Sequence, residues 1–280
     1  MQTVGLTWQH AGETAAVLAV LGSGLALARK PVVRAAGALL REAATIGVLY
    51  ALWQLAGTIS LRDDGGAFRR AQWIERFDRS LPLPTERSVQ HAVLGHGWLV
   101  QGLNLYYAAM HIGVMLAFLL WLFLRHREHY RRVRRVMAWS TLACLVVELV
   151  PVAPPRMLAG YVDTGQLYNQ SVYDNGLPID QLSAMPSLHV GWAVFVGYYT
   201  WRISRSRWRW IGPVHAALVT IAVVATANHW WLDGIVAVSL IAVCAWVLIG
   251  VEWAWRRLRV RGSLREPALA PVMVPDTVAS

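Results

Sequence analysis

The chain has 280 residues, of which 56% are hydrophobic and only 15% are charged, and it contains 15 tryptophans. A soluble domain of this length has about 25% charged residues, so the composition excludes an ordinary soluble domain and predicts a polytopic membrane protein. The formal net charge is +10, but the arginines cluster between apolar blocks, and we therefore expect no nucleic-acid partner.

Seven apolar segments approach or exceed the length of about 20 residues that a helix needs to cross a bilayer. In chain order they cover residues 11–28, 43–61, 103–124, 136–153, 188–203, 211–228 and 232–255. The sequence thus predicts an all-α polytopic membrane helical bundle of about six to seven transmembrane helices. We divide it into N-terminal anchor helices with an interfacial segment (1–102), a motif-carrying membrane domain (103–255) and a basic, disordered cytoplasmic tail (256–280).

Basic clusters follow the first, third, fifth and seventh apolar segments. If every segment spans, all four clusters lie on one side of the membrane, and an excess of Lys and Arg marks the cytoplasmic side. Arg156, His189 and His229 then fall on the opposite side. We therefore expect an integral plasma-membrane protein whose site faces the periplasm or the cell exterior.

The segment at residues 228–234 reads NHWWLDG. His229 and Asp233 are four residues apart, so on a helix they share a face. A carboxylate there accepts a hydrogen bond from one ring nitrogen and leaves the other as an outward lone pair, which suits a phosphoryl nucleophile. The alternative is a buried pair that only stabilises the start of a helix. We interpret Trp230 and Trp231 as interfacial anchors.

The segment at residues 185–189 reads MPSLH. Pro186 suits the first turn of a helix, and Ser187 together with the free N–H groups at that terminus forms an anion site. His189 follows, within reach of a departing oxygen that needs a proton. The alternative is an ordinary helix start with an interfacial histidine.

The segment at residues 151–157 reads PVAPPRM, and its Arg156 is the only Lys or Arg between Arg135 and Arg202. A guanidinium suits phosphate because its donors are planar and bidentate. The alternative is an arginine that only reaches the lipid headgroups.

These three motifs, in this order and on one side, resemble the type 2 phosphatidic acid phosphatase (PAP2) superfamily. MPSLH and NHWWLDG look like its inositolphosphotransferase branch, which includes fungal inositol phosphorylceramide synthase. The resemblance covers about residues 103–255 and implies a PAP2-like core. It implies that His229 forms a phosphohistidine, that Asp233 orients it and that His189 is the acid and base. It further implies that Ser187 and Arg156 hold the phosphate oxygens, without a metal or other cofactor.

The sequence departs from the superfamily pattern at two places. Leu149 stands where the pattern has a Lys, and Ala222 and Val223 stand where it has Ser-Arg. Arg156 is then the sole side-chain cation of the three expected. This weakens the case for a plain phosphatase and counts against a vanadate-dependent haloperoxidase, although the inositolphosphotransferase branch commonly carries such reduced motifs.

Further substrate-binding candidates come from the third apolar segment. Asn104, Tyr107 and His111 share one helical face by their spacing and are expected to line a headgroup cavity; interhelical hydrogen bonds are the alternative. The loop at 161–180 is rich in Tyr, Asn and Asp, which suits either recognition of a polyol headgroup or simple solvation.

The sequence thus predicts a lipid phosphotransferase whose donor is a membrane lipid phosphate and whose acceptor is a polyol or another alcohol. Three alternatives stay open. The first is a lipid phosphate or pyrophosphate phosphatase with water as acceptor. The second is a zinc hydrolase built on His111, His189, His229 and Asp233, although no His-Glu-x-x-His is present. The third is a non-catalytic transporter or scaffold, although neither broken helices nor repeated halves are evident. The oligomeric state is left open.

Overall fold

The computed structural model describes residues 7–60, 66–171 and 181–263, apart from the side chains of residues 57–60, 111 and 259–263. The helices are α1 (Trp8–Ala26), α2 (Pro31–Ser60), α3 (Ala67–Asp78), α4 (Glu86–Leu94), α5 (Gly97–Arg125), α6 (Arg127–Glu148), α7 (Thr164–Leu167), α8 (Leu188–Ile203), α9 (Ile211–Ala225) and α10 (Trp231–Ser263). Short 3-10 turns cover Pro155–Met157 and Arg207–Trp210.

Each of the seven predicted apolar segments coincides with a helix. Helix α8 has the predicted bounds. Helix α6 begins earlier than predicted, at Arg127, and ends at Glu148, because Pro151 lacks an N–H and disfavours the helical conformation just before it. Helix α10 continues into the predicted tail as far as Ser263, through arginines and a leucine that are good helix formers. The rest of that tail, 264–280, lies outside the described residues.

Within the described residues, three stretches are long and apolar enough to cross a bilayer: Pro31–Ala56, Arg207–Ala225 and Trp231–Leu258. Helix α5, bent by 44°, is a fourth if its two halves form one span. Helix α8 has 16 residues, which is about 24 Å and shorter than a hydrocarbon core of about 30 Å. The fold is the predicted all-α membrane bundle, although three to four helices, rather than six to seven, meet this criterion by themselves.

Helices α1 and α2 form a tightly packed hairpin. A Cβ added to Gly22 would lie 2.8 Å from the carbonyl oxygen of Gly37, so this approach requires glycine. The guanidinium of Arg41 donates to the Gly22 carbonyl at 2.7 Å. Farther along, Glu42 of α2 accepts from the hydroxyl of Tyr130 at 3.0 Å, which attaches the hairpin to α6.

The basic residues collect at one end of the bundle. Arg135, near the start of α6, pairs with Glu252, near the end of α10, at 3.0 Å. The start of α10 is therefore at the opposite end, together with the end of α6 and the loops that carry the three motifs.

A small core under these loops includes α3. Its members are Ala67, Ala71, Ile74, Val152, Ala153, Leu182, Ala184 and Trp230. The Trp230 side chain is only 1% exposed, and its indole N–H donates to the Ala153 carbonyl at 3.0 Å. The prediction that Trp230 is an interfacial anchor is therefore wrong, because its indole is buried against the arginine-bearing loop.

Candidate active site

Three loops converge where the sequence motifs lie. The backbone of Val152 is paired with the 182–184 segment: its N–H donates to the Leu182 carbonyl at 2.6 Å, and its carbonyl accepts from Ala184 at 3.1 Å. The N–H of Arg156 donates to the carbonyl of Ala227 at 2.9 Å. Backbone hydrogen bonds thus hold the PVAPPRM segment against the residues that directly precede MPSLH and NHWWLDG.

The ring of His229 has a defined tautomer. Its Nδ1 lies 2.8 Å from the carbonyl oxygen of Ala184, and a carbonyl can only accept, so Nδ1 carries the hydrogen and Nε2 keeps the lone pair. Asp233 Oδ2 lies 3.4 Å from the same Nδ1. The carbonyl is therefore the closer partner, and the predicted carboxylate is the second.

Asp233 is completely buried. Its Oδ2 accepts the backbone N–H of Trp230 at 2.8 Å, so it caps the start of α10 while it faces the His229 ring. A carboxylate in this position favours an imidazole that gains positive charge.

His189 lies in the first turn of α8, and its ring centroid is 5.5 Å from that of His229. The ring of Tyr107 stacks on His189 with centroids 4.3 Å apart and an interplanar angle of 29°. The α5 tyrosine therefore restricts the orientation of the second histidine.

Ser187 is the N-cap of α8 and is fully buried. Its Oγ accepts the N–H of Val190 at 3.3 Å, and its own N–H donates to the carbonyl of Asp233 at 3.1 Å. A hydroxyl that accepts one bond still has its hydrogen to donate.

Arg156 is 7% exposed and contacts the loop that carries His229. Its Nη1 donates to Asn228 Oδ1 at 2.9 Å, and its Nε lies 3.3 Å from Asp163 Oδ2. Sequence reasoning assigned no role to Asn228 or Asp163. Asn228 belongs to the NHWWLDG segment, so its position next to His229 could have suggested a role in the site. Asp163 could not have been predicted, because no spacing rule connects it to Arg156.

Asn104 and His111 are the substrate-binding candidates of α5 besides Tyr107. The side chain of Asn104 donates to the Thr164 carbonyl at 3.0 Å and to Gln170 Oε1 at 3.1 Å, and it accepts from the Thr164 hydroxyl at 2.9 Å. These hydrogen bonds hold the short helix α7 against α5. The side chain of His111 lies outside the described residues.

The positions that depart from the superfamily pattern supply no cation. Ala222 and Val223 are fully buried in α9, and Leu149 follows the end of α6. Among the described residues, the potential metal ligands that converge within 4.8 Å of one another are His126, Glu128 and His129. They lie at the start of α6, far from the predicted zinc set.

The family model described as PAP2 superfamily matches residues 72–247, which is more than half of the chain. The match begins inside α3 and ends inside α10, and it includes all three motifs. Comparisons with curated proteins and with solved structures gave no significant match.

Proposed function

This chain belongs to the PAP2 superfamily, and on that premise we propose that it is a lipid phosphotransferase that works through a phosphohistidine at His229. Enzymes of this superfamily are phosphatases or phosphotransferases acting on lipid phosphates. The observation that carries the proposal is the His229 ring, whose Nδ1 is bonded to a carbonyl and whose Nε2 keeps a lone pair. His189, with its ring 5.5 Å away, is the partner for the proton.

In the first step, His229 Nε2 attacks the phosphorus of the lipid phosphate. The N–P bond forms while the bond from phosphorus to the leaving oxygen breaks, and protonated His189 gives its proton to that oxygen. Arg156 holds the non-bridging phosphate oxygens with its planar donors. Because the Arg156 guanidinium also contacts Asp163, the phosphate either shares the guanidinium with this carboxylate or displaces it.

In the second step, the acceptor hydroxyl gives its proton to the now neutral His189. Its oxygen attacks phosphorus, the N–P bond breaks, and both histidines return to their starting states. Asp233 stabilises the positive charge that the His229 ring carries as the phosphoryl group arrives and leaves.

The acceptor we propose is a polyol such as inositol or another alcohol, and the donor is a membrane phospholipid. This choice is supported by the likeness of MPSLH and NHWWLDG to the inositolphosphotransferase branch. We place the site on the non-cytoplasmic side of the plasma membrane, because it lies at the end of the bundle opposite the basic clusters. The second candidate, hydrolysis with water as acceptor, uses the same residues in the same steps.

Product analysis by mass spectrometry tests the proposal. Purified wild type, His229→Ala and a control, His129→Ala, receive phosphatidylinositol and lipid phosphates with and without inositol. His129 is a half-exposed histidine at the other end of the bundle, so its variant should behave as wild type.

The expected result is a new phosphate ester of the acceptor alcohol that disappears only in His229→Ala. It is a phosphodiester when phosphatidylinositol is the donor and a phosphomonoester when a lipid phosphate is the donor. Free phosphate alone, lost in the same variant, would identify a phosphatase. Turnover that survives in His229→Ala would contradict the assignment of the nucleophile.

A further inference from the structure

The start of α10 is capped by three different carboxyl groups. Three successive backbone N–H groups, those of residues 230–232, donate one hydrogen bond each. In chain order the acceptors are Asp233 at 2.8 Å, Glu86 at 3.1 Å and Asp78 at 3.3 Å. A helix leaves its first N–H groups without partners, and carboxylates near that end are favoured by the helix dipole. The capping is nevertheless unusual, because two of the three groups come from elements distant in sequence.

All three carboxyl groups are buried. Asp78 and Glu86 are each 1% exposed and Asp233 is fully buried. Asp78 is the last residue of α3 and Glu86 is the first residue of α4, so neither belongs to a recognised motif. Three carboxylates so close together in a water-poor site repel one another, so the site favours keeping a proton on one of them.

Asp78 and Glu86, which accept from neighbouring N–H groups of the same helix start, are the two carboxyl groups between which the site favours that proton. Asp78 Oδ1 is buried, and no N–H or hydroxyl in the described part of the chain donates to it. After burial, the neighbouring carboxyl group of Glu86 has the largest influence on the pKa of Asp78. Two neighbouring carboxyl groups form a hydrogen bond with each other when one of them is protonated. Burial, followed by the contact with Glu86, raises the pKa of Asp78 to about 8.

Within the part of the chain that the structure describes, neither Asp78 nor Glu86 forms an ion pair with a basic side chain. The groups that act on Asp78 are Glu86 from α4, Asp233 from α10 and the N–H of Leu232. The nearby basic residues Arg87, in α4, and Arg79, which directly follows α3, both pair with Glu75 of α3 instead. In the loop after the first 3-10 turn, Tyr161 is influenced by the charges of Glu75 and Glu86, and the Arg87 guanidinium lies over its ring at 5.1 Å.

We propose that Asp78 and Glu86 are positioning residues that share one proton, keep Asp233 as the carboxylate beside His229, and fix the first turn of α10. If both were ionised, their repulsion from Asp233 would push α3 and α4 away from that turn. This displacement would also weaken the hydrogen bond between His229 and the Ala184 carbonyl. The positioning role rests on the proposed function, whereas the shared proton does not depend on it.

Asp78→Asn and Asp78→Ala separate the two parts of this proposal. The asparagine amide accepts from Leu232 and donates to Glu86, as a protonated aspartic acid does, whereas alanine does neither. Glu75→Gln is the matched control, because Glu75 is a carboxyl of the same helix that pairs with arginines.

The first readout is the thermal midpoint of the full chain in detergent between pH 5 and pH 9.5. The pKa of Asp78 is raised above its unfolded value, so the folded state holds the extra proton and stability falls as pH rises from the unfolded value through about 8. Wild type and Glu75→Gln should show this alkaline fall. Asp78→Asn should lose most of it, and an unchanged alkaline fall in Asp78→Asn would overturn the shared proton.

The second readout is kcat and KM against pH with the substrate that wild type accepts. Asp78→Asn should keep kcat at pH 7 within about threefold and keep it at pH 9, where wild type declines, whereas Asp78→Ala should lose about tenfold in kcat with little change in KM. Full kcat in Asp78→Ala would overturn the positioning role. If wild type turned over none of the phosphates tested, the proposed function would fail, and the thermal readout would still decide whether the proton is shared.

Discussion

The carboxylate of Asp233 allows a quantitative prediction. Asp233→Asn keeps an oxygen that can accept the Trp230 N–H, so the cap of α10 is retained. What it removes is the negative charge 3.4 Å from His229 Nδ1. The Ala184 carbonyl still accepts from Nδ1 at 2.8 Å, so the tautomer of His229 should be unchanged. The variant therefore removes the charge of Asp233 while it keeps the helix cap and the orientation of the His229 ring.

The size of the effect follows from the distance. For unit charges 3.4 Å apart at an effective dielectric constant of about 20, Coulomb's law gives about 5 kcal/mol. If the imidazole carries about half a unit charge in the transition state, Asp233 lowers the barrier by roughly 2.5 kcal/mol. Each 1.36 kcal/mol is tenfold in rate, so kcat should fall roughly 50- to 100-fold.

Steady-state kinetics on purified protein measures this, with Glu252→Gln as the control. Glu252 is paired with arginines at the opposite end of the bundle, so its variant should keep wild-type kcat. The loss in Asp233→Asn should appear in kcat, because the charge acts on the reacting ring and not on the lipid. A loss below about fivefold would refute the electrostatic role and would mean that the Ala184 carbonyl alone prepares the nucleophile.

Two further predictions concern the residues around the histidines. Arg156→Lys keeps the charge but loses the planar fork that contacts Asn228, so KM should rise about 10- to 100-fold; an unchanged KM would show that Arg156 does not bind the substrate phosphate. Tyr107→Leu removes the ring stacked on His189 and should lower kcat about 2- to 10-fold, with Tyr107→Phe affected less. Equal kcat in both Tyr107 variants would show that the stack does not position His189.

The motif helices were predictable because their signals are local. The MPSLH segment marks the start of α8, and the structure has Ser187 as its N-cap. Pro186 precedes the N-cap and does not lie in the first turn, where the sequence placed it. The apolar run after the N-cap sets the length of the helix, so the predicted bounds and the observed ones agree. The sequence also predicted that His229 and Asp233 lie close together, but it placed both on one helix. In the structure α10 begins at Trp231, so His229 precedes the helix and Asp233 reaches it from the first turn, 3.4 Å from its Nδ1.

The partners that complete the site were not predictable, because they are joined only by tertiary contacts. The carbonyl of Ala184 is 45 residues from His229 in the chain. Every residue has a backbone carbonyl, so the residue types do not indicate which carbonyl accepts from the histidine. Glu86 lies 145 residues from the N–H that it accepts. Its segment, before residue 103, had only a charged and interfacial pattern. Trp230 was misassigned for the same reason: in a membrane sequence, a tryptophan at a helix start indicates an interface unless the packing of the loops is known.

Trapping the covalent intermediate tests the central claim most directly. Purified wild type, His189→Ala and His229→Ala are mixed with a turned-over lipid phosphate, quenched within one turnover at alkaline pH and digested for mass spectrometry. We predict an acid-labile phosphoryl group on His229 in wild type. In His189→Ala it should form more slowly and also decay more slowly, because the first step lacks its acid and the second step lacks its base. It should be absent in His229→Ala. A phosphoryl group on another residue, or turnover by His229→Ala with no adduct, would contradict the account.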